Sequence, residues 1–130
     1  MEHECTLTAR SYECDSYGHV NNAVYLNYLE FARLEFMKAA GISYGGLRGA
    51  GYGLVVVRIV IDYRTPVRAD DALRVVTAPL LKQKVRVVFR QTVFRAEEIV
   101  ADAEVTWACV NREGRPVRLP PQLDVPELEP

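Results

Sequence analysis

The sequence predicts an α+β fold in which an antiparallel five-stranded sheet curls around one long central helix. Three observations support this prediction. Only residues 24–40 combine helical periodicity with the absence of proline and glycine. That stretch is apolar on most of its circumference, so it must be covered on most sides. One segment before it and four after it are rich in β-branched and aromatic residues. A sheet wrapped around a helix accounts for all three.

The first strand is expected at residues 5–12 and ends in a turn that leads into the helix. Gly41 favours the end of the helix. The apolar helix positions are Tyr25, Tyr28, Leu29, Ala32, Phe36 and Ala40, and the stripe is widened by Leu26, Phe31, Leu34 and Met37. The pattern leaves only a narrow polar strip around Asn27, Glu30 and Lys38.

The rest of the chain reads as a meander of four strands. They are expected at residues 54–63, 72–80, 85–94 and 99–110. The last strand alternates, which predicts one buried face formed by Ile99, Ala101, Ala103, Val105, Trp107 and Cys109. Six of the eight glycines fall in residues 41–53, so this stretch is expected to be a flexible connection.

The chain divides into a domain at residues 1–112 and a proline-rich extended tail at residues 113–130. With 130 residues and a formal net charge of -1, an ordinary globular protein is expected, and nothing attracts nucleic acid in bulk. The N-terminus lacks the pattern of a signal peptide, and no stretch suits a membrane span. Sheet edges and uncovered helix surface favour a homodimer or homotetramer.

The three cysteines, Cys5, Cys14 and Cys109, have spacings that fit neither a zinc site nor a disulfide framework. An odd number of cysteines in such a pattern is typical of reduced thiols in an intracellular protein. We therefore expect a cytoplasmic protein without a bound metal ion.

Two motifs carry a family resemblance. The first is DSYGHVNNAVYLNYLEFAR at residues 15–33, and the second is IDYRTPVRADDALRV at residues 61–75. With them the chain resembles, up to about Asn111, the hotdog-fold acyl-CoA thioesterases of the 4-hydroxybenzoyl-CoA thioesterase type. The resemblance implies a hotdog fold and hydrolysis of an acyl-CoA thioester to a carboxylic acid and CoA. It implies no cofactor, because coenzyme A arrives as part of the substrate. By matching position, Asp15 is the catalytic carboxylate and the backbone N–H of Asn22 receives the thioester carbonyl.

The residues themselves support the same chemistry. A helix that begins near Asn22 has unpaired backbone N–H groups and a partial positive charge at its first turn. Such a tip stabilises the negative oxygen that develops during acyl transfer. Asp15 precedes the helix by a few residues and can act either as a general base or as a nucleophile. The alternative is purely structural, because Asp-Ser-Tyr-Gly is also a good β-turn sequence.

Other polar residues of the first motif have two interpretations each. His19 either positions water or substrate, or locks the turn. Asn21 and Asn22 are good helix caps that also come close to the substrate. Tyr25 either contacts the substrate or belongs to the core. Cys14, a conceivable nucleophile, is expected to be a packing or turn residue.

Charged residues outside the turn offer further candidates. Glu30 is a rival carboxylate on the helix, although pairing with Arg33 or exposure to solvent is the preferred interpretation. Lys82, Lys84 and Arg86, together with Arg90, alternate on what is expected to be one strand face, where they can bind the phosphates of coenzyme A. A solvated face with edge-protecting lysines is the alternative.

Two other functions remain open on the same fold. A non-catalytic acyl-CoA-binding or regulatory module would bind its ligand without turnover, and Asp15 argues against it. A hotdog dehydratase would require a histidine paired with an acid across the helix, which His19 and Glu30 match poorly. Neither would release a thiol.

Overall fold

The computed structural model describes residues 1–130. Its elements are β1 (His3–Thr8), α1 (Val24–Ala39), α2 (Tyr44–Gly49), β2 (Gly53–Tyr63), β3 (Ala72–Lys82), β4 (Arg86–Arg95) and β5 (Glu98–Val110). Single 3-10 turns occur at Ser11–Glu13, Pro121–Leu123 and Pro126–Leu128. Neither helix has the length and hydrophobicity that crossing a membrane requires.

The five strands form one antiparallel sheet in the order β1-β3-β4-β5-β2, and α1 packs on it. This confirms the predicted α+β hotdog fold. The predicted four-strand meander is wrong in one respect, because β2 pairs with β5 along its length rather than with β3. β1 and β2 are therefore the two edges of the sheet, and β2 is a long edge of 11 residues.

Six of the ten predicted stripe residues are buried, Leu26 and Ala40 are half-buried, and three positions differ from the prediction. Phe31 and Leu34 are 43% and 38% exposed, although both were expected to be covered. Both lie on the same helix face as Asn27 and Lys38, which a sheet packed on the opposite side of the helix leaves open. Arg33 is instead buried, at 4% exposure. The predicted exposure of Asn27 and Glu30 is confirmed.

The alternation of β5 is confirmed except at its start. Val93 pairs with Ala101 and Phe94 pairs with Ile99, so Val100 is an extra residue in the ladder. Such a bulge reverses the side-chain direction on one side of it. Val100 is accordingly fully buried while Ile99 is 41% exposed.

The glycine-rich stretch 41–53 is not simply a flexible connection, because it contains α2. The helix starts at Ser43, whose hydroxyl accepts a hydrogen bond from the N–H of Gly46 at 2.9 Å. Leu47 is 2% exposed and anchors α2 in the core. Capping and one buried leucine stabilise a turn of helix that the glycine content alone disfavours.

The proline-rich C-terminal segment packs against the domain. Leu123 and Leu128 are each 1% exposed and join the core cluster that contains Phe36, Phe89 and Trp107. The terminal ammonium of Met1 donates to the carbonyl oxygen of Glu127 at 2.9 Å. The prolines predict an extended segment, but not that two leucines on single 3-10 turns fill one end of the core.

Candidate active site

An open pocket of about 410 Å³ lies where the turn before α1 meets the segment that follows β2. It brings together four predicted site residues. Its lining consists of Asp15, His19, Val20, Asn22, Tyr25, Tyr63, Arg64, Thr65 and Pro66. The two motifs of the sequence therefore meet at one place, the N-terminal end of the central helix.

Asp15 builds the turn with one carboxylate oxygen and leaves the other free. Its Oδ1 accepts hydrogen bonds from the N–H groups of Tyr17 at 2.9 Å and His19 at 3.2 Å. Its carbonyl oxygen accepts from the N–H of Gly18, whose φ of 78° is the left-handed conformation that glycine tolerates best. Oδ2 has no hydrogen-bond partner in the chain. The structural and the catalytic interpretations of Asp15 are therefore compatible.

Hydrogen bonds on both sides hold this turn against the domain. The N–H of Val20 donates to the carbonyl oxygen of Val67 at 2.7 Å, and that of Asn21 donates to the carbonyl oxygen of Glu13 at 2.9 Å. The Tyr28 hydroxyl on α1 donates to Oε1 of Glu13 at 2.8 Å. The pKa of the Tyr28 hydroxyl is raised, mainly by burial and secondly by the hydrogen bond to Glu13. The hydroxyl therefore stays protonated and acts as a donor. The carboxylate of Asp15 is thus presented on a fixed loop.

The entry to α1 leaves an unpaired backbone donor beside that loop. Asn21 accepts from the N–H of Ala23 through Oδ1 and from the N–H of Val24 through its carbonyl oxygen, both at 2.9 Å. Asn21 therefore closes the turn before the helix rather than capping its first residue, which is Val24. The N–H of Asn22 donates to no group of the chain. It lies at the positive end of the helix, where an oxyanion is stabilised.

Tyr63 is a site residue that the sequence reasoning missed. Its hydroxyl donates to the carbonyl oxygen of Asn22 at 2.7 Å, and its ring contacts that of Tyr25 edge-on, with centroids 5.0 Å apart. Burial raises the pKa of Tyr63, so the hydroxyl remains a donor at neutral pH. The peptide between Asn22 and Ala23 is therefore held at its oxygen by Tyr63 and at its nitrogen by Asn21. The only signal was the position of Tyr63 in the second motif.

The other candidates of the turn and helix are placed as follows. His19 is partly buried, lines the pocket and makes no side-chain hydrogen bond. Cys14 contacts the carbonyl oxygen of Arg10 through its Sγ at 3.7 Å and does not line the pocket. Glu30 is exposed, forms no ion pair and lies at a different pocket. Tyr25 is only 3% exposed and belongs to the core as well as to the pocket wall.

The basic residues predicted to bind coenzyme A do not share one strand, so that part of the prediction is wrong. Lys82 ends β3, Lys84 lies in the hairpin turn and Arg86 begins β4. Lys82 is ion-paired with Glu129 at 2.7 Å. None of the three lines the Asp15 pocket within one chain. Their role in substrate binding stays a prediction.

Chemically, the pocket combines a carboxylate oxygen and a backbone N–H, each without a partner, at a helix tip. This arrangement suits attack on a carbonyl group whose oxygen becomes negative. No three His, Cys, Asp or Glu side chains are grouped so that they could hold a metal ion.

Comparisons with known proteins give relatives that are named as thioesterases. The chain is 34% identical over 120 residues to a chloroplastic acyl-acyl carrier protein thioesterase of Arabidopsis thaliana. The matched residues make up 91% of this chain and 64% of the relative. The chain spans less than two thirds of that relative's length. It is also 34% identical over 108 residues to the long-chain acyl-CoA thioesterase FadM of Escherichia coli, covering 81% of the chain and 80% of the relative.

A solved structure and a family model give the fold and the family. The crystal structure of a probable thioesterase from Bartonella henselae superimposes with a TM-score of 0.86 at 28% sequence identity, covering 92% of this chain and all of that one. The family model of the thioesterase-like superfamily matches residues 9–125, a range that includes most of the proline-rich segment. The chain therefore belongs to the thioesterase-like superfamily.

Proposed function

We propose that the protein hydrolyses an acyl-CoA thioester to a carboxylic acid and free coenzyme A. The observation that carries the proposal is the pocket in which Asp15 and Asn22 each keep one group unpaired. The names of relatives support it, because FadM is a long-chain acyl-CoA thioesterase.

In the proposed reaction, the thioester carbonyl oxygen accepts a hydrogen bond from the N–H of Asn22. One such donor contributes about 3 kcal/mol in the transition state. The Asp15 carboxylate activates a water molecule or attacks the carbonyl carbon itself. The bond from carbon to sulfur breaks, the thiol leaves, and the oxygen from water ends in the carboxylate product. His19, on the pocket wall, assists by positioning water or substrate.

A panel of aromatic, short-chain and long-chain acyl-CoAs tests the proposal, with free thiol as the readout. Acyl-acyl carrier protein is included because one relative is named for that substrate. We expect thiol release from at least one acyl-CoA at a rate well above its spontaneous hydrolysis. Tight binding of acyl-CoAs without thiol release would instead support a regulatory module.

The reaction needs no cofactor, since coenzyme A arrives with the substrate. We place the protein in the cytoplasm as a reduced protein, in keeping with its three cysteines, none of which forms a disulfide.

Tyr63→Phe is expected to lower kcat about fivefold with little change in KM, because it removes one hydrogen bond of about 1 kcal/mol. The lost bond holds the Asn22 carbonyl oxygen and thereby orients the helix tip. Steady-state kinetics on the best acyl-CoA measures both constants. Tyr17→Phe, at an exposed tyrosine outside the pocket lining, is the matched control. An unchanged kcat for Tyr63→Phe would show that the bond does not serve catalysis.

We also propose that two copies pair through the β2 edges, giving a homodimer or a homotetramer built on that pair. β2 is an unpaired edge of 11 residues with exposed Val55, Val56, Val57 and Val60. A long apolar edge of this kind is a template for pairing with another strand. Residues of a second copy would then lie beside each pocket.

Val57→Lys is expected to weaken this association at least tenfold. Val57 is 57% exposed at the irregularity of β2, and a lysine on an edge strand opposes pairing. Sedimentation equilibrium gives the dissociation constant. Ile99→Lys, at an equally apolar and 41% exposed position of β5, is the control. Equal association of both variants would place the interface elsewhere.

A further inference from the structure

One wall of the Asp15 pocket is an irregular segment between β2 and β3, residues 64–71, which we call the wall segment. It contains neither helix nor strand, yet three of its residues line the pocket. The carbonyl oxygen of Val67 in this segment accepts the hydrogen bond from the N–H of Val20 at 2.7 Å. That bond holds the turn that carries Asp15, so the position of the carboxylate depends on what fixes the wall segment.

Arg95, the last residue of β4, ties the wall segment to the sheet. Its Nη1 donates to the carbonyl oxygen of Pro66 at 3.0 Å and to Oδ2 of Asp71 at 2.9 Å. Its Nη2 donates to Oε1 of Glu98, the first residue of β5, at 2.7 Å. One guanidinium therefore connects two separate points of an irregular segment to the hairpin between β4 and β5.

Asp71 is itself held in place, so the network has little freedom to rearrange. Its Oδ2 also accepts a hydrogen bond from the N–H of Arg68 at 2.9 Å, and its carbonyl oxygen accepts one from the N–H of Ala9 at 3.0 Å. The pKa of Asp71 is lowered, first by the bond from Arg68 and also by Arg95, so the carboxylate stays ionised at neutral pH. Isolated surface ion pairs contribute little, whereas charges with shared partners form a network that keeps its geometry.

The same network adjoins the other half of the site through Tyr25. Burial raises the pKa of the Tyr25 hydroxyl, and the charges of Arg95 and Asp71 act on it in opposite directions, so both groups lie near it. The ring of Tyr25 contacts the ring of Tyr63, whose hydroxyl holds the carbonyl oxygen of Asn22. The network therefore supports the turn on one side and the helix tip on the other.

We propose that Arg95 is a positioning residue, which fixes the Asp15 carboxylate relative to the N–H of Asn22 through the wall segment and Tyr25. The inference rests on the hydrolysis proposed above, and Arg95 itself is not among the residues that line the pocket. The two reacting groups lie on different elements, a turn and a helix, so their separation depends on contacts with the rest of the domain. Displacement of one group by about 1 Å is enough to slow a reaction strongly, because attack requires alignment.

Arg95→Met tests the proposal by steady-state kinetics, because it keeps the aliphatic stem and removes all three hydrogen bonds. We expect kcat to fall about tenfold and KM to change less than about twofold, since alignment rather than substrate binding is affected. An unchanged kcat overturns the proposal.

Arg74→Met is the matched control. The side chain of Arg74 is 30% exposed, close to the 29% of Arg95, and it also bonds a carboxylate and a carbonyl oxygen. Its partners are Glu4 at 2.7 Å and Ala96 at 3.4 Å, neither of which lies in the wall segment or lines the pocket. We expect the control to keep the kcat of the wild type. Equal losses of kcat in both variants would show a general effect of lost stability and overturn the proposal.

Amide hydrogen exchange tests the positioning without any substrate. Relative to the amides in the middle of α1, the N–H of Val20 should exchange about tenfold faster in Arg95→Met than in Arg74→Met, because its bond to the wall segment opens locally. Equal relative exchange in the two variants overturns the proposal. If the wild type hydrolyses no thioester, exchange at Val20 still decides whether Arg95 fixes the turn, so the two proposals fail separately.

Arg95→Lys keeps the proposal testable if Arg95→Met does not fold. Lysine retains the charge, but its single nitrogen does not bridge Pro66 and Glu98 as the two ends of a guanidinium do. We expect kcat to fall and exchange at Val20 to rise, each by about threefold. Wild-type values for both measurements overturn the proposal.

Discussion

Asp15→Asn is expected to lower kcat by about two to four powers of ten while the fold stays intact. The substitution removes the charge that activates the attack. It keeps an Oδ1 that accepts the hydrogen bonds from the N–H groups of Tyr17 and His19, so the turn survives. Thiol release under saturating acyl-CoA measures the effect, and circular dichroism and thermal unfolding check the fold.

Asp70→Asn is the matched control for this prediction. Asp70 is exposed, makes no side-chain hydrogen bond and has a φ of 72°, a conformation that asparagine also tolerates. The kcat of the Asp70→Asn variant should equal that of the wild type. If Asp15→Asn retained full activity, the carboxylate would serve only the turn, and another group would have to activate the attack.

Leu123→Ala is expected to lower the free energy of unfolding by about 3 kcal/mol. Leu123 is 1% exposed and packs in the core cluster with Phe36, Phe89 and Trp107, although it lies in the proline-rich segment. Truncation removes buried apolar surface and leaves a cavity that the surrounding rings fill only in part. Denaturant unfolding followed by circular dichroism, at one protein concentration, gives the change.

Gln122→Ala is the control, because Gln122 is exposed on the same 3-10 turn. Its unfolding free energy should stay within about 0.5 kcal/mol of the wild type. A negligible effect of Leu123→Ala would mean that the C-terminal segment does not contribute to the core, contrary to the structure.

Local patterns explain which parts of the fold the sequence predicts well. Residues 24–40 form α1 to within one residue, because an uninterrupted apolar period allows no other element. The four later strands are also confirmed, to within a residue or two at most ends. The periodicity of a segment does not indicate which strands pair with one another. The pairing of β2 with β5 depends on how the whole sheet closes, and so does the bulge that turns Ile99 outward.

Elements with poor propensities were missed for a different reason. α2 contains three glycines and forms because Ser43 caps it and Leu47 is buried. Leu123 and Leu128 lie between prolines and show no periodicity, yet tertiary packing buries both. Arg33 was considered only as a pairing partner for Glu30, whereas Gln91 from β4 provides a buried hydrogen-bond partner for it. In each case the stabilising contact is remote in sequence, or the element is too short to show a hydrophobic periodicity.

The candidate site was predictable to the extent that it is local. Asp15, His19 and Asn22 fall within eight residues and converge on one pocket, because a single turn carries them to the helix tip. Tyr63 lies on β2, 41 residues after Asn22, so only the structure reveals that its hydroxyl holds the Asn22 carbonyl oxygen. The basic residues assigned to coenzyme A depend on strand ends and a hairpin turn, and the expected common strand was wrong.

A crystal structure of Asp15→Asn protein with a bound acyl-CoA tests most directly whether carboxylate and helix tip act on the same thioester. The thioester oxygen should lie about 2.7–3.1 Å from the nitrogen of Asn22, with the side chain of residue 15 facing the carbonyl carbon. A thioester bound outside this pocket, or with its oxygen turned away from the helix, would contradict the proposed mechanism.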